Sequence, residues 1–166
     1  MSLSNDAPSN IGKIIVNLQS LEFALRLFLD ETQSHPGAAK DVTIDYMNLT
    51  VGEWVPENHL TNYDTLNQLI KKVNSELQSR GLSERIDESI VELRDAIAHG
   101  RVLANQPDGP YHILKFSIPK NGKTKVTVSI EMTQDWFDHQ IKRTLNELKK
   151  VVKIGQALGL KCFPID

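Results

Sequence analysis

Arg94, Asp95 and His99 stand within one short stretch, VELRDAIAHGRV, with Arg101 two residues beyond the histidine. An arginine is a fixed cation whose planar fork binds phosphate oxygens in pairs. A histidine titrates near neutral pH, so it can take a proton and return it. One of each within a turn or so of helix can cleave RNA without a metal. The imidazole would take the proton of a ribose 2′-OH or protonate the leaving 5′-oxygen, while the guanidinium offsets charge developing on the phosphorane. Asp95 has an open role: it could orient a base or Arg94, or face a positive charge on another element. Arg101 extends the basic rim and could contact an RNA phosphate, although a surface charge needs no function. By itself the pair says little, because a histidine at a helix C-terminus more often answers the helix dipole.

The stretch reads as a helix expected from a cap at Ser83 to about Gly100. Its core stripe is Ile86, Ile90, Leu93 and Ile97, spaced four, three and four. At about 100° per residue, Arg94 falls to one side of that stripe and His99 to the other. Val91, Asp95 and Ala98 then occupy the face away from the core. A solvated back face would be long and charged; this one is short and partly apolar, and Val91 and Ala98 allow a second helix to approach closely. Arg94 and His99 therefore border a seam with a partner.

LRDAIAHG resembles the signature of the HEPN superfamily, an arginine and a polar residue followed at short range by a histidine. Arg94, Asp95 and His99 match that pattern residue by residue, with four residues between Arg94 and His99. HEPN domains are helical bundles with the motif on a late helix, and LEFALRLFL near the N-terminus is also similar to many members. The resemblance implies a metal-independent endoribonuclease without cofactor, in which two copies dimerise through the motif helices and share one cleft. His99 would be the general acid/base, Arg94 the phosphate clamp, Asp95 a positioning residue and Arg101 an RNA contact. RNA and a second copy are the implied partners. Because many members are toxins or phage-defence factors, an antitoxin or regulatory protein is a further one. Other members have lost activity, so the alternative is a non-catalytic module for dimerisation or nucleotide/RNA binding.

The elements that must position these residues follow from periodicity. A first helix is expected from about Asn10 to Glu31, with Ile11, Ile14, Ile15, Leu18, Leu21, Leu25 and Phe28 in one stripe. Glu22 and Arg26 fit a surface ion pair one turn apart. Residues 32–60 show no sustained period and read as an irregular segment whose apolar residues, Val51 and Trp54 among them, pack on the domain. A second helix follows, capped by Thr61 or Asn62, with Leu66, Leu69, Ile70, Val73 and Leu77 inward. After Gly100 the period becomes two. Residues 111–132 read as a hairpin with Leu114, Phe116 and Ile118 on one face. A three-residue Lys120–Asn121–Gly122 loop would pair Phe116 with Val126 and Leu114 with Val128, apolar against apolar. Thr133 caps a last helix that Gly155 and Gly159 weaken and end. The expected fold is mainly α: a HEPN-like helical bundle with a β-hairpin inserted before the last helix, one domain over 11–166 behind a flexible lead at 1–10.

Composition narrows the function classes. The 166 residues are 40% hydrophobic and 24% charged, ordinary for a globular domain. One cysteine, Cys162, leaves no intrachain disulfide and no cysteine-rich zinc site, and it reads as a buried thiol. The five histidines lack metal-ligand spacing. No apolar run approaches the roughly 20 residues of a membrane span. The polar N-terminus lacks the pattern of a signal peptide, and a cytoplasmic location is expected. Net charge is −2, but residues 1–100 carry −7 and residues 101–166 carry +5. Lys149, Lys150 and Lys153 form a basic patch on the last helix.

Overall fold

The computed structural model describes residues 6–33, 45–46, 48–104 and 110–164. Among them are four helices, α1 (Ala7–Thr32), α2 (Leu66–Ser79), α3 (Ile90–His99) and α4 (Gln134–Ala157). A three-stranded sheet, β1 (Arg101–Ala104), β2 (Tyr111–Phe116) and β3 (Val126–Met132), lies between α3 and α4 in the chain. The fold is mainly α. The chain divides into two compact units, one of residues 1–21 and 87–149, the other of 22–86 and 150–166. α1 and α4 each contribute a part to both.

The first unit holds the motif helix. Its core draws Ile14, Leu18 and Leu21 from α1, Ile90, Leu93 and Ala96 from α3, Ile113 and Met132 from the sheet, and Phe137 from α4. Asn17 Nδ2 donates to Thr144 Oγ1 at 3.0 Å and to the Ile141 carbonyl at 3.3 Å, a polar tie between α1 and α4. α1 begins a turn earlier than Asn10, because Pro8 fits a first helical turn, where its missing N–H would have no partner anyway.

α3 is shorter than its apolar spacing predicts. It starts at Ile90, not after Ser83, and Ile86 is buried from outside the helix. The chain just before it is fixed by side chains. Asp87 N donates to Glu147 Oε2 (3.1 Å), and the Asp87 carboxylate accepts from Ser89 N and Oγ and from the Arg143 guanidinium (2.8 Å). Ala96, absent from the expected stripe, is buried, while Ile97 is only half-buried. At the other end Gly100 has no room for a side chain: a Cβ there would collide with the Ala96 carbonyl and with Ile113. That closeness leads α3 directly into β1, a strand too short to register as one in the sequence.

The strands pair antiparallel in the order β1-β2-β3. Two expectations about the hairpin need correction. The turn is the two-residue one, since Asn121 and Gly122 both have positive φ (52° and 73°) and Lys120 and Lys123 exchange backbone hydrogen bonds. Phe116 does pair with Val126, but Leu114 pairs with Ser129 and Lys115 with Val128. Thr127 is the extra residue of a bulge, and its hydroxyl donates to the Lys115 carbonyl. The bulge reconciles a tight turn with the Phe116–Val126 pair, and it changes which face each side chain takes. Ile113, Val128, Ile130 and Met132 face inward. Leu114, Phe116 and Val126 face outward, and Ile118 beyond them is 90% exposed.

The second unit is built on α2, with Leu25, Phe28 and Leu29 of α1 and Val151 and Ile154 of α4 in its core. α2 is capped by Thr65, not Thr61 or Asn62. Thr65 and Gln68 form a reciprocal capping box, for which Thr-Leu-Asn-Gln is the sequence signal. Residues 58–64 are turns held by Asn58 and Asn62. Arg26 makes the expected one-turn pair with Glu22 at 2.9 Å, but it is largely buried and also anchors these turns. Its guanidinium donates to Glu22, to the carbonyls of His59, Asn62 and Asp64, and to Asn62 Oδ1, with its side chain only 12% exposed. Within the segment 32–60, residues 34–44 and 47 lie outside the described residues. Val51 and Trp54 do not pack; both are fully exposed, on a turn closed by Thr50–Glu53 hydrogen bonds. α4 ends at Ala157, just before Gly159 (φ 69°), as expected, whereas Gly155 lies within the helix. A Cβ there would overlap the Phe163 ring, which packs over the helix.

Candidate active site on the motif helix

Arg94, Asp95 and His99 all sit on α3, and all reach solvent. Arg94 Nη1 donates to Asp95 Oδ1 at 3.2 Å, with the two side chains 41% and 38% exposed. Asp95 Oδ2 lies 3.8 Å from Lys115 Nζ on β2, so one carboxylate stands between two cations. Lys115 was invisible as a site residue from sequence, because it arrives from a strand 20 positions away whose register the bulge sets. Its alternation with Ile113 was the available signal.

His99 is the last residue of α3 and is exposed; among the described residues its ring makes no hydrogen bond. It stands five positions after Arg94, about 140° around the axis, so one protomer holds the two on different sides. Val91, Asp95 and Ala98 occupy the outward arc, the first two half-buried and Ala98 exposed. Arg101 opens β1. Its guanidinium lies over the Phe116 ring, 4.9 Å from the centroid, and among the described residues it has no carboxylate partner.

On the other flank of α3 an open cleft of about 170 Å³ is lined by Glu92, Leu93, Ala96, Ile130, Trp136 and Arg143. Arg143 is committed there to Asp87, Ser89 and Gln140. Burial works to raise the Asp87 pKa, but hydrogen bonds from Ser89 and Arg143 outweigh it and hold the carboxyl down at about 2. Burial, together with the Glu31 carboxylate beside it, pushes the Cys162 thiol up to about 12, so it carries no thiolate at neutral pH. Of the basic patch on α4, Lys149 and Lys153 are exposed, whereas Lys150 donates to the Arg85 carbonyl. Among the described residues, no three or more His, Cys, Asp or Glu side chains converge as a metal site requires, and no helix is long and apolar enough to cross a membrane.

Compared with models of protein families, with curated proteins and with solved structures, the chain matches none.

Proposed function

We propose that this chain is a metal-independent endoribonuclease of HEPN type, with its site completed by two copies meeting along α3. The observation that carries the reading is the state of His99. It is an exposed imidazole with no hydrogen-bond partner among the described residues, on the same short helix as a solvent-facing Arg94 that Asp95 steadies. In one protomer Arg94 and His99 stand about 140° apart around the helix axis, with Val91, Asp95 and Ala98 between them. A second α3 laid against Val91 and Ala98 would supply the complementary pair. There one imidazole takes the 2′-OH proton as the 2′-oxygen attacks phosphorus. The partner's His99 delivers a proton to the departing 5′-oxygen, leaving a 2′,3′-cyclic phosphate and a 5′-hydroxyl. Arg94 binds the non-bridging oxygens as their charge grows.

A second reading, a non-catalytic HEPN-like module for dimerisation or for nucleotide or RNA binding, is favoured by the Arg94–Asp95 pair, which partly neutralises the cation in a single copy. Incubation with mixed-sequence RNA in EDTA separates the two. The wild type should cleave, and His99→Ala and Arg94→Ala should each lose at least about 100-fold in rate. Equal cleavage by wild type and variants would refute the catalytic reading.

A further inference from the structure

The hairpin beyond the motif helix carries a charge pattern that the fold does not need. From Pro110 to Ile130 there are four lysines and no acidic residue. Lys115 turns inward toward Asp95. Lys120, Lys123 and Lys125 surround the Asn121–Gly122 turn, all exposed and without a carboxylate partner among the described residues. Three like charges on a rigid two-residue turn repel one another, and an anionic ligand removes that cost. The outward sheet face, opposite the one from which Lys115 reaches Asp95, is partly apolar, with Leu103 and Val126 nearly half exposed. At its centre Phe116 carries the Arg101 guanidinium on its ring. An exposed arginine whose guanidinium sits over an aromatic ring offers a surface on which a nucleobase stacks. Glu131 is the acidic residue of this face, and it lies at the far end of β3 from the turn, opposite His112.

We propose that the β2–β3 hairpin is a binding arm for single-stranded RNA. A base stacks on Arg101 beside Phe116, and Lys120, Lys123 and Lys125 hold the phosphates that run on toward the tip. The geometry makes the arm continuous with the motif, since Arg101 follows His99 by two residues and reaches β2 at once. An anionic lipid surface fits less well, because Ile118 is the one large apolar side chain at the tip, and Leu103 lies away from the tip on β1. The inference rests on the preceding reading for the kind of ligand, but not for the chemistry.

The test measures binding of a fluorescein-labelled, unstructured mixed-sequence RNA to the His99→Ala protein, with and without Lys120→Gln/Lys123→Gln/Lys125→Gln. Each phosphate contact contributes about 0.7 to the salt dependence of single-strand binding, so the triple variant should lower the slope of log K against log salt by about 2. Phe116→Leu should weaken binding roughly tenfold and leave the slope unchanged, because it removes stacking and no charge. An unchanged affinity and slope in the triple variant would overturn the proposal. So would wild-type protein that binds phosphatidylserine vesicles and not RNA. Cleavage lost in His99→Ala while the triple variant binds normally would sink the arm and keep the ribonuclease. Cleavage unaffected by His99→Ala, with binding lost in the triple variant, would do the reverse.

Discussion

Asp95 shows how much one carboxylate can do at this site. It accepts from Arg94 and lies within reach of Lys115, so it fixes the direction of the one guanidinium on α3. Asp95→Asn keeps the shape and removes the charge. Single-turnover cleavage should slow by about tenfold, far less than with His99→Ala, as expected of a residue acting through another. A loss as large as that of His99→Ala would put Asp95 in the chemistry itself. The motif residues were legible because they are contiguous in sequence; Lys115 was not, because a strand brings it. Asp87 makes a second residue-scale case. Its pKa lies below the unfolded value, so the pair with Arg143 stabilises the fold fully above about pH 4 and is lost as pH falls through about 2. Both side chains are wetted, so Asp87→Asn should cost on the order of 1 kcal/mol at pH 7 in urea melts. The same variant should flatten the stability change between pH 4 and 2.

At the scale of elements, apolar periodicity located the four helices among the described residues and misplaced where three of them begin. Ile86 keeps the spacing of Ile90 and Leu93, yet it is buried from a non-helical stretch, because burial has the same signature whether or not the backbone is helical. The α2 start was written in Thr65 and Gln68 but lay behind two earlier polar residues that cap turns instead. In the hairpin, apolar matching correctly paired Phe116 with Val126 and chose the wrong loop, since a bulge at Thr127 achieves the same match. Arg26 and Gly155 were read incompletely for one reason: each also serves a neighbour distant in sequence. Arg26→Met should cost about 3 kcal/mol in urea unfolding, because three part-buried carbonyls lose their donor. Gly155→Ala should lower stability by about 2 kcal/mol although alanine favours helix, because the added methyl displaces Phe163. A stabilising Gly155→Ala would show that Phe163 does not pack on α4 in solution.

For the whole molecule, the proposal requires two copies. Val91 and Ala98 leave a narrow arc on α3 that a second helix can approach, with Arg94 and His99 on either side of it. Ala98→Arg adds bulk and charge to that arc and touches neither motif side chain's chemistry. Sedimentation should show a wild-type dimer and a monomeric Ala98→Arg variant whose cleavage is lost with dimerisation. A monomeric variant of full activity would place the whole site in one copy. Expression toxicity relieved by His99→Ala is the outcome expected of a toxin. The most direct test lies in the product. Wild-type protein in EDTA should cut RNA to ends bearing 2′,3′-cyclic phosphate and 5′-hydroxyl, and should leave the same strand uncut when the ribose 5′ to the scissile phosphate lacks its 2′-OH. Cleavage of that 2′-deoxy strand, or 5′-phosphate ends, would contradict attack by the 2′-oxygen under His99 and Arg94.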